Sequence, residues 1–233
     1  MRILLLFDID GTLISTGGKA FAALAEAFLQ IVGEKAPVNG FSPAGKTDPQ
    51  IFRQLLKRAA IPHGEELLSQ LQATYLEMLP KHLRRENVRN LPGVDALLAS
   101  LAQDPRVALG LLTGNLLAGA RHKLELAGLW HFFPVGAFGS DHPDRDQLLP
   151  FAVRRAESHF QQAFPFPQVV VVGDTPADVR CAHVWGAKAI AVAGNTTSSA
   201  ALARANADAI IPSLMPDLFF PVLEALCPPI FES

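Results

Sequence analysis

Two cysteines in 233 residues, Cys181 and Cys227, are too few and too far apart for a disulfide framework, and they match no metal or redox spacing. They are expected to be reduced thiols in a chain that folds without cross-links. Long apolar runs are equally scarce. The N-terminal run Ile3–Phe7 stops at Asp8, too early for a signal-peptide core, and no stretch approaches the roughly 18 apolar residues of a membrane span. A cytoplasmic protein without a membrane partner is the expectation. Positive charge is not in surplus either: 20 basic residues against 22 acidic leave a net charge of −2, which argues against nucleic acid or anionic lipid as a partner. His122, His131, His142, His159 and His183 fit no closed zinc site. Internal repeats and low-complexity runs are absent. A small-molecule or protein partner is left.

What is present is a full core's worth of apolar residues, 49% of the chain, in a regular order. Ile3–Phe7, Val107–Leu112, Val135–Phe138, Val169–Val172, Ala189–Val192 and Ala209–Ile211 are short apolar runs separated, in the C-terminal part, by helical stretches. Val169–Val172 lacks polar alternation, so both of its faces are expected to be buried. The pattern predicts an α/β fold with a doubly wound, Rossmann-like parallel sheet. Between the first two runs, Phe21, Leu24, Ala25, Phe28, Leu29 and Val32 recur at helical spacing, as do Ile51, Phe52, Leu55, Leu56 and Ala59, then Leu67, Leu68, Leu71 and Tyr75. Residues 16–89 are therefore expected to form an all-helical insertion, a cap, over a core of residues 1–15 and 90–233.

Three predicted strands end in polar residues, where ligands bind open parallel sheets. The first runs into Asp8-Ile9-Asp10-Gly11-Thr12. Side chains two apart in an extended segment point to the same side. One carboxylate there can attack phosphorus or hold a hard cation, and the other can act as general acid and base. Two solvated acids at a turn are the plainer alternative. The second end is Thr113-Gly114-Asn115, where a hydroxyl and backbone N–H groups at a helix start make either an anion site or an ordinary N-cap. The third is Gly173-Asp174-Thr175-Pro176-Ala177-Asp178, in which Asp174 and Asp178 can complete an oxygen-rich Mg²⁺ site, or Asp178 can simply answer the helix dipole.

In this combination and order, DxDGT, a strand-end Thr and GDxxxD resemble the haloacid dehalogenase superfamily, and its phosphoglycolate-phosphatase-like branch with a helical cap of the first type in particular. The resemblance implies a Mg²⁺-dependent phosphomonoester hydrolase that works through an aspartyl-phosphate. Asp8 would be the nucleophile, Asp10 the acid/base, and Thr113 the donor to the transferring phosphoryl group, with Gly114 and Asn115 beside it at the substrate. Asp8, the main-chain carbonyl of Asp10, and Asp174 would hold Mg²⁺, with Asp178 in support. The superfamily's third motif supplies a lysine near the start of the helix before the Gly-Asp strand. Here Ser140–Gln147 has none, and Lys123, the one lysine between the second and fourth motifs, falls in the preceding helix. Arg145 is assigned the missing role, since a guanidinium pairs with phosphate or carboxylate in a bidentate way. The alternative is an exposed arginine paired with Asp144 or Asp146.

The substrate implied is a small phosphorylated metabolite such as phosphoglycolate or a sugar phosphate. Lys46, and less so Lys19, is the candidate to meet a second acidic group on it, and Asp48 reads as an N-cap before Pro49. Trp130–Phe133 is an aromatic turn suited to the core edge or to a subunit contact, so monomer and homodimer both stand. A phosphomutase of the same fold and a weakly active, metal-binding regulatory homologue are the competing functions.

Overall fold

The computed structural model describes residues 2–194 and 197–227. The chain opens with β1 (Ile3–Phe7), turns into β2 (Ile14–Ser15), and then runs through α1 (Lys19–Val32), α2 (Asp48–Arg58) and α3 (Glu65–His82) before β3 (Arg89–Asn90). From there helix and strand alternate: α4 (Val94–Gln103), β4 (Val107–Leu112), α5 (Leu117–Ala127), β5 (Val135–Ala137), α6 (Leu149–Phe160) and β6 (Val169–Gly173). The last elements are α7 (Pro176–His183), β7 (Lys188–Val192), α8 (Ser199–Arg204), β8 (Ala209–Ile211) and α9 (Pro216–Leu226). No helix among the described residues is long and apolar enough to cross a membrane.

Six strands form one parallel sheet in the order β5-β4-β1-β6-β7-β8. The chain builds outward from β1 on one side, then returns to build outward on the other. The order therefore reverses beside β1, and a crevice opens there beyond the carboxyl ends of the strands. This is the expected doubly wound α/β architecture.

The uninterrupted apolar strands follow from burial on both faces. Ile3, Leu5 and Phe7 of β1, with Val170 and Val172 of β6, share a core with α4, α5 and α9. Leu4 and Leu6, with Val169 and Val171, pack on the opposite side against α6 and α7. Phe133 of the aromatic turn lies 6.1 Å from Phe7, and Phe219 of α9 lies 6.3 Å from it, so that turn belongs to the core edge. Both cysteines are buried and unbridged. Burial pushes the Cys181 thiol up to about 12, which leaves it inert.

Between β2 and β3 the described residues form three α-helices, one 3₁₀ turn and the loops that join them, with no strand. α1 packs along α3 and presents Leu24, Ala27 and Phe28 inward, while Phe52 of α2 meets Tyr75 of α3 edge to face at 6.0 Å. β2 and β3 pair antiparallel, Ile14 with Asn90 and Ser15 with Arg89, so the two connections between this segment and the sheet run side by side. The apolar interior of the segment continues through Leu13, Leu116 and Ala120 into the first core layer.

The central strand sets a mutational contrast. Leu5→Ala, fully buried, is expected to lower the unfolding free energy by about 2–5 kcal/mol in a denaturant titration. Leu29→Ala on α1, 42% exposed, should stay within about 0.5 kcal/mol of the parent. Equal losses would mean that β1 does not carry the core.

Candidate active site

β1 delivers Asp8 to the crevice, and Asp8 N–H continues the sheet ladder by donating to Val172 O at 2.9 Å. The chain must then leave the sheet at once. Leu13 and Ile14 N–H both donate to Ile9 O, Gly11 N–H donates to Ile14 O, and Gly11 takes φ +86°, a conformation that a side chain would strain. That turn carries Asp10 up beside Asp8 and brings Thr12 Oγ1 within 3.3 Å of Asp174 Oδ1 at the end of β6. At the end of β4, Thr113 N–H donates to Ala137 O at 3.0 Å, so Thr113 is still held by the sheet. Its Oγ1 accepts from Asn115 N at 3.3 Å and Asn115 Nδ2 at 2.9 Å, which leaves its own O–H as a donor.

Asp8, Asp174 and Asp178 are all buried, and one carboxylate oxygen from each lies within 4.8 Å of the others. Arg145, 2% exposed at the start of a 3₁₀ turn, enters this group. Its Nη2 donates to Asp178 Oδ1 and lies 3.2 Å from Asp8 Oδ1. The pairing with Asp144 or Asp146 is not formed; Asp146 instead accepts from Arg180 Nε at 2.8 Å. Asp178 also closes a capping box on α7, its Oδ2 accepting from Thr175 N at 2.9 Å and Thr175 Oγ1 at 2.7 Å. Burial opposes the charge on Arg145, but Asp178 and Asp8 outweigh it and keep the guanidinium ionised. Burial raises Asp8 from 3.8 to about 6; Arg145 opposes that rise and Asp178 adds to it. Three carboxylates against one guanidinium leave two negative charges in excess, in hard oxygen donors. That donor set fits a divalent cation.

A second charged group lies next to the first. Lys123 is 3% exposed, and its Nζ donates to Asp10 Oδ2 at 2.6 Å and to Asn115 Oδ1. Asn115 Nδ2 donates to the same Asp10 oxygen at 2.8 Å. The Asn115 amide is thus committed to Asp10, Lys123 and Thr113. Sequence reasoning passed over Lys123 as a helix residue. The available signal was its place on the apolar stripe of α5, between Ala120 and Ala127 and next to Leu124, all buried.

Residues 42–48, which lead into the first turn of α2, lie over these groups. Thr47, not Asp48, is the N-cap of α2: its side chain accepts from Gln50 N at 3.2 Å and Gln50 Oε1 accepts from Thr47 N. Asp48 occupies the first helical position and does something else. Its N–H donates to Gly114 O at 2.8 Å and its Oδ2 accepts from Leu116 N at 2.9 Å, so it caps α5 from outside that helix. Thr47 Oγ1 donates to Pro143 O at 2.6 Å. Gly114 is required where the segments touch, since a Cβ there would stand 2.2 Å from Lys46 O. Lys46 Nζ donates to Ser42 O at 2.5 Å and sits over the Phe41 ring at 5.3 Å. A cavity of about 460 Å³ remains between the segment and the sheet, lined by Asp8, Asp10, Thr113, Lys46 and Asp174 among others. Lys19 is not among its lining residues.

The family model described as haloacid dehalogenase-like hydrolase matches residues 5–192, a span that includes every strand-end group above. Among curated proteins, one of Dickeya dadantii (strain 3937) described as probable phosphatase IndB is 28% identical over 206 residues, which is 82% of this chain and 81% of that protein. Among solved structures, β-phosphoglucomutase of Clostridium difficile superposes with a TM-score of 0.75 at 15% identity, covering 99% of this chain and 100% of that one. A predicted phosphoglycolate phosphatase of Haemophilus somnus 129pt gives a TM-score of 0.68 at 19% identity, over 93% and 96% of the two chains. At these identities the likeness of the structures speaks for the fold.

The raised Asp8 carboxyl makes stability depend on pH. Between 3.8 and about 6 the folded chain keeps a proton that the unfolded chain has released, so raising the pH favours unfolding. In chelator, Asp8→Asn is therefore expected to be more stable than the parent by roughly 3 kcal/mol at about pH 7, with the gap closing toward about pH 4. Denaturant titrations at both values would show it. A parent more stable than the variant at neutral pH without metal would contradict the charge imbalance.

Proposed function

The chain belongs to the haloacid dehalogenase-like hydrolase family, and on that premise we propose that this enzyme is a Mg²⁺-dependent phosphatase that hydrolyses small phosphorylated metabolites through an aspartyl-phosphate on Asp8. The observation that carries the reading is the buried excess of negative charge around Asp8, with an acid/base carboxylate, Asp10, on the same turn and a free hydroxyl donor, Thr113, across the crevice. A phosphate dianion enters such a place only if positive charge comes with it. When bound, the divalent cation supplies that charge against the phosphoryl oxygens; Asp8, Asp174 and the main-chain carbonyl of Asp10 would hold it.

In the first step a carboxylate oxygen of Asp8 bonds to phosphorus as the bond to the ester oxygen breaks, and Asp10 gives that oxygen its proton. In the second, Asp10 takes a proton from water as the water oxygen bonds to phosphorus and Asp8 leaves. Inorganic phosphate and the starting carboxylates result. Thr113 O–H hydrogen-bonds the moving phosphoryl group. Arg145, held by Asp178, keeps Asp8 ionised and balances the charge that accumulates. Residues 16–89 act as a cap over a core of 1–15 and 90–233, excluding water from the cavity; the docked segment 42–48 and the paired connections β2 and β3 support this. Phosphoglycolate and sugar phosphates are the candidate substrates. Lys46, Gly114 and Asn115 stand at or beside the cavity where the rest of such a molecule would lie.

The test is phosphate release from a panel of phosphomonoesters, 2-phosphoglycolate and sugar phosphates included, with Mg²⁺ and with chelator. Asp8→Asn is expected to abolish release, and Asp10→Asn to reduce it by about 10²–10⁴-fold. Release that survives Asp8→Asn would sink the covalent reading. Isomer formation without net phosphate release would instead identify a phosphomutase.

A further inference from the structure

Lys123 has no part in these two steps, yet among the described residues it is, with Arg145, one of two buried cations in the crevice. A buried ammonium is tolerated only when paired and hydrogen-bonded. Both of its partners, Asp10 and Asn115, are strand-end residues. The geometry is selective. Lys123 Nζ and Asn115 Nδ2 converge on Oδ2 of Asp10, while Oδ1 has no hydrogen-bond partner among the described residues and the side chain is 40% exposed toward the cavity it lines. A carboxylate gripped by one oxygen presents the other in a fixed direction.

We propose that Lys123 is a positioning residue for Asp10: with Asn115 it pins Oδ2, so that Oδ1 is aimed at the ester oxygen in the first step and at the water in the second. Asp48 lines the same cavity and is joined to the start of α5 by its hydrogen bonds with Gly114 O and Leu116 N–H. The inference rests on the phosphatase reading.

A role in aiming an acid shows itself in the leaving group. An alkyl ester oxygen needs a proton as it departs, whereas nitrophenolate does not, so a misaimed Asp10 matters in the first step only for the former. The experiment compares the full-length parent, Lys123→Met, Lys123→Gln and Lys123→Arg, with Mg²⁺, on the best alkyl substrate of the panel and on p-nitrophenyl phosphate followed through its first turnover. Lys123→Met is expected to lose roughly 100-fold in kcat/KM on the alkyl ester, while its first-turnover release of nitrophenol stays within about tenfold of the parent. A burst should follow, because the second step still needs Asp10. Lys123→Arg should recover part of the loss.

Equal losses on both substrates, or none, would overturn the inference and leave Lys123 a packing residue. If Lys123→Met lacks a cooperative unfolding transition, Lys123→Gln, which keeps a polar side chain but removes the charge on Oδ2, carries the same comparison with the same two outcomes. A parent without metal-dependent, Asp8-dependent turnover would remove the phosphatase reading and this inference with it. A parent that turns over normally, with proportionate losses in the variants, would remove only the inference.

Discussion

Holding Asp8, Asp174 and Asp178 together out of water, with one guanidinium among them, is unfavourable by itself, and the fold supplies what makes it tolerable. Two central strands with both faces buried give the carboxylates a backbone that cannot relax away. Asp178 is tied twice to Thr175 and once to Arg145, so it faces Asp8 with its orientation already fixed. Repulsion among the three acids is therefore held in place. It is available to any ligand that brings positive charge.

The second charge group solves a different problem. Asp10 stands at the cavity edge and is less buried than Asp8, so water and side-chain motion compete for it. Lys123 and Asn115 restrain it from beneath, and Asn115 in turn engages Thr113. The result is a chain of contacts from α5 through the end of β4 to the turn after β1. Asp48 joins this chain from the helical segment by capping α5. No single element owns the site.

Much of this was legible in the sequence for physical reasons. Strands buried on both faces need uninterrupted apolar residues, which is why Ile3–Phe7 and Val169–Val172 stood out, and the helical face of 21–32 followed from its period. Asp8 and Asp174 sit where strands end and Asp178 in the first turn of the helix that follows, and the structure brings the three together. The strand expected at Val135–Phe138 stops one residue sooner, at Ala137. Other features depend on contacts between segments far apart in the chain. Thr47 and Asp48 are both acceptable N-caps by residue type, and only the reach of Asp48 to Leu116 decides which one caps α2. Lys123 is passed over in the sequence because it falls in the helix before the third motif; its partner Asp10 lies 113 residues away in the chain. Gly114 is expected with Thr113 and Asn115 at the substrate, and the space its side chain would take is filled by the backbone of Lys46.

The short ribbon of β2 and β3 has a topological consequence. Because the chain leaves for the helical segment at Ser15 and returns beside it at Arg89, the whole excursion is a side branch whose two ends are already neighbours. Shortening or replacing it would change the loop-closure entropy only slowly, with the logarithm of the length removed, and would leave the sheet register untouched. Such a fold can exchange one branch for another of different size and surface while every strand-end group stays at its station.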